Sequence, residues 1–456
     1  MRILFLSINY WPEQTGIAPV NTWRCEYLAA QGHDVTMCTS FPYYPEWRVA
    51  EEYRGRLLQR EKQNGVEIVR SWMWVPRRPS ALRRMLFEAS FLTSTFLRAL
   101  VYRFRSAGWR WGKKPDLLVV VSPPLGLGLS ARLLSRLWRI PYVFDVEDLQ
   151  PDAAADLGML RQGKLIRALY ALERMAYRHA ALVTTLTEGM RRRIVAKGVP
   201  AEKVKVIAAR ADERLFGLRQ RIDGREFRRQ VGLEGRFLVV HSGNMGVKQG
   251  LDVILGAAKL TESDPSITYL IVGDGAARPE LERKAEELDL KNIRFLPLQS
   301  WEMFQQMLAA ADLALITQQK SVSDIVFPSK TVTLLAAGCP VIASVNGESE
   351  IARVVHASGA GVVVAPEDAQ ALANAVYALR RDDESRMIMS ARGTRYAQEH
   401  WDGGRVLPAM EHEFMRAAGR EEPADPRTGA TVSEALEINS EYAKRSVKEC
   451  GIEIHS

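Results

Sequence analysis

Short aliphatic and β-branched runs that alternate with longer helical patterns leave this chain few folds to choose from. They fall at Ile3–Ser7, Asp34–Thr39, Val66–Arg70, Leu117–Ser122, Tyr142–Val146, Ala181–Thr185 and Val204–Ile207. They resume at Phe237–His241, Thr268–Val272, Ile293–Leu296, Leu313–Ile316, Val341–Ser344 and Gly361–Val364. Near-continuous apolar runs of this length belong to strands buried on both faces, and Val66–Arg70 is the most polar of them. Strands that alternate with helices make parallel sheets with helices on both sides, so the pattern predicts an α/β fold. At 456 residues the chain is long enough for two such sheets, expected over residues 1–208 and 209–385. Ligands of open α/β sheets sit beyond the carboxyl ends of the strands, which directs attention to the loops that follow each run.

After the first run comes Tyr10-Trp11-Pro12-Glu13-Gln14-Thr15-Gly16-Ile17-Ala18, then a helix that stops at Gly32. Gly16 suits a close backbone approach to a ligand, or only the turn. Pro42-Tyr43-Tyr44-Pro45-Glu46-Trp47 follows the second run. Tyr43, Tyr44 and Trp47 read either as a contact surface for an acceptor or membrane or as a self-packed rigid loop. The stretch Phe144-Asp145-Val146-Glu147-Asp148-Leu149-Gln150-Pro151-Asp152 places acids just past a buried strand, where Glu147 and Asp148 suit proton transfer or a grip on sugar hydroxyls.

In the second half, Ser242-Gly243-Asn244-Met245-Gly246-Val247-Lys248-Gln249-Gly250 joins a strand to a helix. A glycine-rich turn carrying Lys248 is a phosphate cradle in physical terms, although it has neither the P-loop nor the GxGxxG spacing. A surface lysine on a flexible turn fits the same residues. The stretch Asp324–Ala343 reads as a loop, a helix opening at Pro328-Ser329, a stop at Gly338 and a buried strand. Proline and serine suit a first helical turn, and glycine suits the left-handed residue that ends a helix. Lys330 in that first turn opposes the helix dipole. A bound anion such as phosphate accounts for it, as does simple exposure on an ordinary helix.

Between Arg77 and Lys114 the composition changes. Arg83, Arg84 and other basic residues surround an apolar helical pattern that includes Leu86, Phe87, Phe91 and Phe96, with Glu88 the only acid. Such a basic amphipathic helix fits an anionic membrane surface, or a core helix with a solvated basic face. The formal charge of +8 favours an anionic partner, but no nucleic-acid-binding signature is present. No run is long and apolar enough for a transmembrane helix, and Met1–Ser7 is too short for a signal-peptide core. Four scattered cysteines, Cys25, Cys38, Cys339 and Cys450, have no metal-ligand or disulfide spacing, which fits a reducing cytoplasm. Residues 386–418 are expected to form helices that return to the first domain. Residues 419–456 are polar and charged and read as a disordered tail.

Taken in order, these motifs resemble those of the GT-B glycosyltransferases, and within them glycosyltransferase family 4. The likeness is to its exopolysaccharide group of the colanic-acid and N-acetylfucosamine transferase type. Pro12–Ile17, Pro42–Trp47, Glu147–Asp152, Gly243–Gly250 and Pro328–Val341 carry the resemblance, which spans roughly residues 1–415. It implies two Rossmann-like domains facing across a cleft, and a retaining, metal-independent transfer of a hexosyl or N-acetylhexosaminyl group. The donor would be a nucleotide-sugar, expected to be UDP-linked, and the acceptor a polyprenyl-linked or growing oligosaccharide. The enzyme would lie on the inner face of the plasma membrane and use no cofactor. The matching positions are Lys248 and Gly16 at the donor diphosphate, Ser329 and Lys330 at the donor-facing helix start, and Asp148 near the transferred sugar. Gly243, Leu296 and Thr333 complete the implied donor site. The pattern departs from the family at three places: Asn244 stands for an arginine, Glu147 for a histidine, and Ile325 and Thr333 for two glutamates, with Asp324 one residue away from the first. A nucleotide-sugar 2-epimerase on the same fold, or a non-catalytic assembly partner, fits these departures as alternatives.

Overall fold

The computed structural model describes residues 1–14, 16–44, 46–77, 80–105, 114–156, 163–321 and 329–420. Every run predicted from the sequence is a strand, its ends shifted by about one residue. The strands are β1 Arg2–Leu6, β2 Asp34–Ser40, β3 Leu58–Gln63, β4 Val66–Ser71, β5 Leu117–Ser122, β6 Tyr142–Val146, β7 Leu182–Thr185 and β8 Val204–Val206. They continue as β9 Phe237–Ser242, β10 Ile267–Val272, β11 Ile293–Leu296, β12 Leu313–Thr317, β13 Val341–Ser344 and β14 Gly361–Val364.

The first sheet runs β3-β4-β2-β1-β5-β6-β7-β8 and the second β11-β10-β9-β12-β13-β14. Each starts in the middle and winds outward, reversing direction at β1/β5 in the first and at β9/β12 in the second. These reversals are where the flanking loops part and leave a crevice for a ligand. Registry is set by the apolar runs: Phe5 pairs with Met37 on one side and Val119 on the other, and Leu270 lies beside Val240. All of β5 is buried, as its unbroken LLVVVS sequence requires.

β3 is the one strand absent from the sequence reading. It is antiparallel to β4 and joined to it through Asn64-Gly65, both with positive φ. An Asn-Gly pair between extended segments is the signal for such a hairpin. Its polar sequence, LQREKQ, fits an edge strand with one solvated face. The polar character of β4 also has a cause. Arg70 is fully buried, and its guanidinium donates to Glu61 Oε1 at 2.6 Å and to the carbonyl of Trp11 at 2.5 Å.

Of the helices expected to return over 386–418, Gly403–Ala417 packs on the first sheet. Val406, Met410 and Phe414 join the core around Ile3 and Phe5, and Glu411 accepts hydrogen bonds from Tyr27 at 2.8 Å and from His33 at 2.7 Å. Helix Asp383–Trp401 packs instead on the second domain, with Gly393 against Leu335 and Ala360 and Trp401 in the core of β12 and β13. Arg83, Arg84 and Phe91 lie on helix Ala81–Arg105, within the stretch read as basic and amphipathic. None of the described helices is long and apolar enough to cross a membrane. The expected tail lies outside the described residues from 421 onward.

Candidate active site

At the end of β9 the chain enters the glycine-rich turn, and a second turn, Gly273-Asp274-Gly275, leaves β10 against it. The Gly243 N–H bonds the Val272 carbonyl at 2.9 Å, and the Met245 N–H bonds the Asp274 carbonyl at 2.8 Å. A Cβ on Gly273 would lie 2.0 Å from the Gly243 oxygen, and φ there is +141°, so only glycine fits. The two turns therefore form one rigid shelf at the β9 carboxyl end. Gly273 N–H also bonds the Leu296 carbonyl at 3.0 Å, which places the end of β11 beside the shelf. Asn244 is exposed on the turn, and Lys248 sits in the 3-10 turn Val247–Gln249 that follows.

Helix Ser329–Ala336 closes the other side of the crevice and ends at Gly338, whose φ is +72°. Lys330, in its first turn, reaches toward the shelf, with Nζ 3.4 Å from His241 Nε2 and 4.0 Å from where a Cβ on Gly243 would stand. Burial lowers its pKa to about 7. Thr333 lies one turn further along the helix, partly exposed. Asp324, Ile325 and Pro328 lie outside the described residues. Four buried polar atoms have no hydrogen-bond partner here: His241 Nδ1, Gln249 Oε1, Thr317 Oγ1 and Thr331 Oγ1. All lie on segments at the β9 and β12 carboxyl ends. Buried polar groups are seldom left unpaired, and several together mark a place prepared for a ligand.

From the first domain, Asp148 follows β6. Burial raises its pKa to about 6, and the charge of Lys248 acts in the opposite direction. Lys248 of the second domain thus acts through its charge on Asp148 of the first. Direct contact between the domains is made by Gly189 and Glu350, the Gly189 N–H donating to Glu350 Oε2 at 3.3 Å. Glu147, beside Asp148, is held from within. Its Oε1 accepts from Arg24 Nη1 at 2.8 Å, the same nitrogen donates to Asp145 Oδ2 at 2.7 Å, and Thr184 donates to Asp145 Oδ1 at 2.6 Å. Burial and the neighbouring Asp145 raise the Glu147 pKa, against the pull of Arg24.

The loop after β1 is anchored by a residue whose role the sequence did not disclose. Glu13 Oε1 accepts the Tyr43 and Tyr44 N–H groups, both at 2.8 Å, and Oε2 accepts from Asn9 Nδ2 at 2.8 Å. These bonds fix the loop after β1 to the aromatic loop after β2, with Gly16 at φ +65° against the Tyr44 ring. The aromatic loop is packed on helix Ala81–Arg105: Tyr43 lies 5.1 Å from Phe87, Trp47 lies 5.5 Å from Phe87, and the Arg84 guanidinium stacks 5.4 Å from Trp47. Two assignments to an acceptor or membrane surface are corrected by this packing. Phe91 is fully buried and Tyr43 nearly so, both in the first core, because the helix turns its aromatic stripe inward. Tyr44 and Trp47 remain partly exposed, and Arg83 and Arg84 lie on the solvent side. Among the described residues no group of three or more His, Cys, Asp or Glu side chains gathers as a metal site.

Comparison with known proteins identifies the family to which both halves of the chain belong. Residues 15–210 match the glycosyl transferase 4-like domain, and residues 223–396 match glycosyl transferases group 1. WcaI of Escherichia coli (strain K12), named a colanic acid biosynthesis glycosyl transferase, is 33% identical over 377 residues, 82% of this chain and 90% of that protein. The chain belongs to glycosyltransferase family 4. Among solved structures, sucrose-phosphate synthase from Thermosynechococcus elongatus superposes on this glycosyltransferase with a TM-score of 0.70 at 16% identity, covering 92% of this chain and all of that one. HepE of Anabaena in complex with UDP-glucose gives 0.64 at 18% identity, covering 91% of this chain and all of that one. Both superpositions show the GT-B fold.

Proposed function

We propose that this glycosyltransferase moves a sugar from a nucleotide-sugar, UDP-linked by preference, to a lipid-linked or growing saccharide in bacterial exopolysaccharide or O-antigen synthesis. The observation that carries the reading is the rigid glycine-rich turn at the β9 carboxyl end with buried Lys330 reaching His241 beside it, and with the charge of Lys248 acting on buried Asp148. The relation to WcaI supports the pathway class, and the HepE complex supports the donor class.

In this reading Lys248, Lys330 and the start of helix Ser329–Ala336, held in place by the shelf, stabilise the departing diphosphate as fixed positive groups, the role a metal ion would otherwise fill. The leaving phosphate oxygen then takes the acceptor proton, and configuration at the sugar is retained. Asp148 orients hydroxyls of the transferred sugar, while Glu147 holds the loop through Arg24. Gly16 approaches the diphosphate from the first domain, and Thr333 bonds a ribose hydroxyl.

The acceptor side is read as lying on an anionic membrane at the cytoplasmic face. Leu82, Met85 and Leu86 are each more than half exposed on helix Ala81–Arg105, next to Arg83 and Arg84. Helix Leu127–Trp138 adds exposed Leu129, Leu133 and Leu137, with Arg132 and Arg136 between them and no acid on the helix. Each basic residue near such a surface contributes about 1 kcal/mol.

The test is release of nucleoside diphosphate from a panel of nucleotide-sugars, with and without a bacterial lipid extract. Release that depends on the extract, with the anomeric configuration of the product retained, is expected. Conversion of the donor with no acceptor present would favour an epimerase instead.

A further inference from the structure

Lys330 and His241 are both bases, they touch, and among the described residues no acid is bonded to either. His241 is fully buried at the end of β9, and its Nδ1 has no hydrogen-bond partner. The elements packed against helix Ser329–Ala336 include Glu213–Leu215 and Asp383–Trp401. Of their acids, Glu213 pairs with Arg210, Asp383 with Arg386 and Glu399 with Arg395, while Glu384 is exposed to solvent. Two touching cations out of water repel, so the empty pair holds one positive charge at most. Nothing in the donor reading uses His241.

We propose that His241 and Lys330 form a single seat for one phosphoryl group of the donor, and that filling this seat draws a proton from solution onto the pair. The inference rests on the nucleotide-sugar reading of the crevice. A phosphate oxygen would accept from the Lys330 ammonium on its open side, while neutral His241 accepts a second ammonium hydrogen through Nε2. The incoming negative charge makes the protonated amine favourable where the empty site does not. Burial already brings Lys330 to about 7 and holds His241 well below its ordinary value. Uptake is therefore large at pH 8, where the empty amine is mostly neutral, and small at pH 6, where it is already charged. Asp148 is raised to about 6 and its neighbour Glu147 to about 8, so uptake by these carboxyls is told apart from the seat by Lys330→Arg, which leaves both in place.

Titration calorimetry with UDP at pH 8, where its terminal phosphate is fully ionised, in buffers of different ionisation enthalpy counts the protons. If UDP does not bind, ADP, GDP and TDP replace it. Wild-type protein is expected to take up most of a proton per nucleotide. Lys330→Arg, permanently charged, is expected to bind with none, and Lys330→Met to bind about tenfold or more weakly with none. Binding without uptake in the wild type, or uptake that persists in Lys330→Arg, overturns the shared seat and leaves the nucleotide reading standing. Failure of all four diphosphates to bind overturns both.

Discussion

Asp148→Asn removes a charge that the fold holds at a cost. Burial raises the Asp148 pKa from 3.8 to about 6, even with Lys248 acting on it. A shift of that size corresponds to about 3 kcal/mol between the charged and neutral forms. The sign follows from which state ionises first. Below pH 4 the carboxyl is protonated in both states and costs nothing. Between about pH 4 and 6 the unfolded chain gives up its proton first, so stability falls as pH rises. Above about pH 6 the whole cost is present. The neutral asparagine is therefore expected to raise the melting temperature by about 3 °C at pH 8, for a chain of this length. The difference should vanish near pH 4. Turnover should fall by about tenfold or more in the same variant, because a carboxylate aimed at the transferred sugar is gone. Paired melting curves at pH 4, 6 and 8, with diphosphate release at pH 8, check this. Equal or lower stability of Asp148→Asn at pH 8 would refute the argument that the carboxylate is desolvated in the crevice.

Other consequences are as specific. Lys248→Ala should cut turnover by roughly tenfold or more while the melting curve stays in place; near-normal turnover removes Lys248 from the site. Gly273→Ala forces a methyl group into the Gly243 carbonyl, and the variant should lose several degrees of melting temperature together with nucleotide binding. Arg24→Met leaves Asp145 and Glu147 buried without their cation and should destabilise the protein by about 3–5 kcal/mol, read from denaturant unfolding. Serine at Leu82, Met85 and Leu86 should weaken co-sedimentation with anionic vesicles and leave diphosphate release from a soluble acceptor unchanged, since none of the three contributes to the core.

What the sequence disclosed and what it withheld divide along physical lines. Strands buried on both faces are written as unbroken apolar runs, so the strands of both parallel sheets were legible, as was the helix that opens at Ser329 and stops at Gly338; the strand order and its reversal points came only with the fold. β3 carries no such run. Its signal was the Asn64-Gly65 turn, a local feature that the polar sequence around it obscured. Phe91 shows the limit of reading an amphipathic helix from composition: the pattern locates two faces without saying which one the core takes. Glu13, Arg24 and His241 were missed because their roles exist only in three dimensions. Glu13 reaches 30 residues along the chain to Tyr43, and Arg24 reaches 121 residues to Asp145. A carboxylate within the apolar strand Tyr142–Val146 was the hint of a buried partner, but not of which residue supplied it.

The central claim, that the crevice is built for a nucleotide-sugar, is tested most directly by thermal stabilisation. The protein would be melted with a panel of nucleoside diphosphates and nucleotide-sugars, without added metal. At about 100 times its dissociation constant, a ligand adds about 2.7 kcal/mol, which is about 3 °C for a chain of this length. A shift of that size with the diphosphate and sugars of one base, reduced in Lys248→Ala, is the predicted result. Melting curves that no nucleotide moves would contradict it.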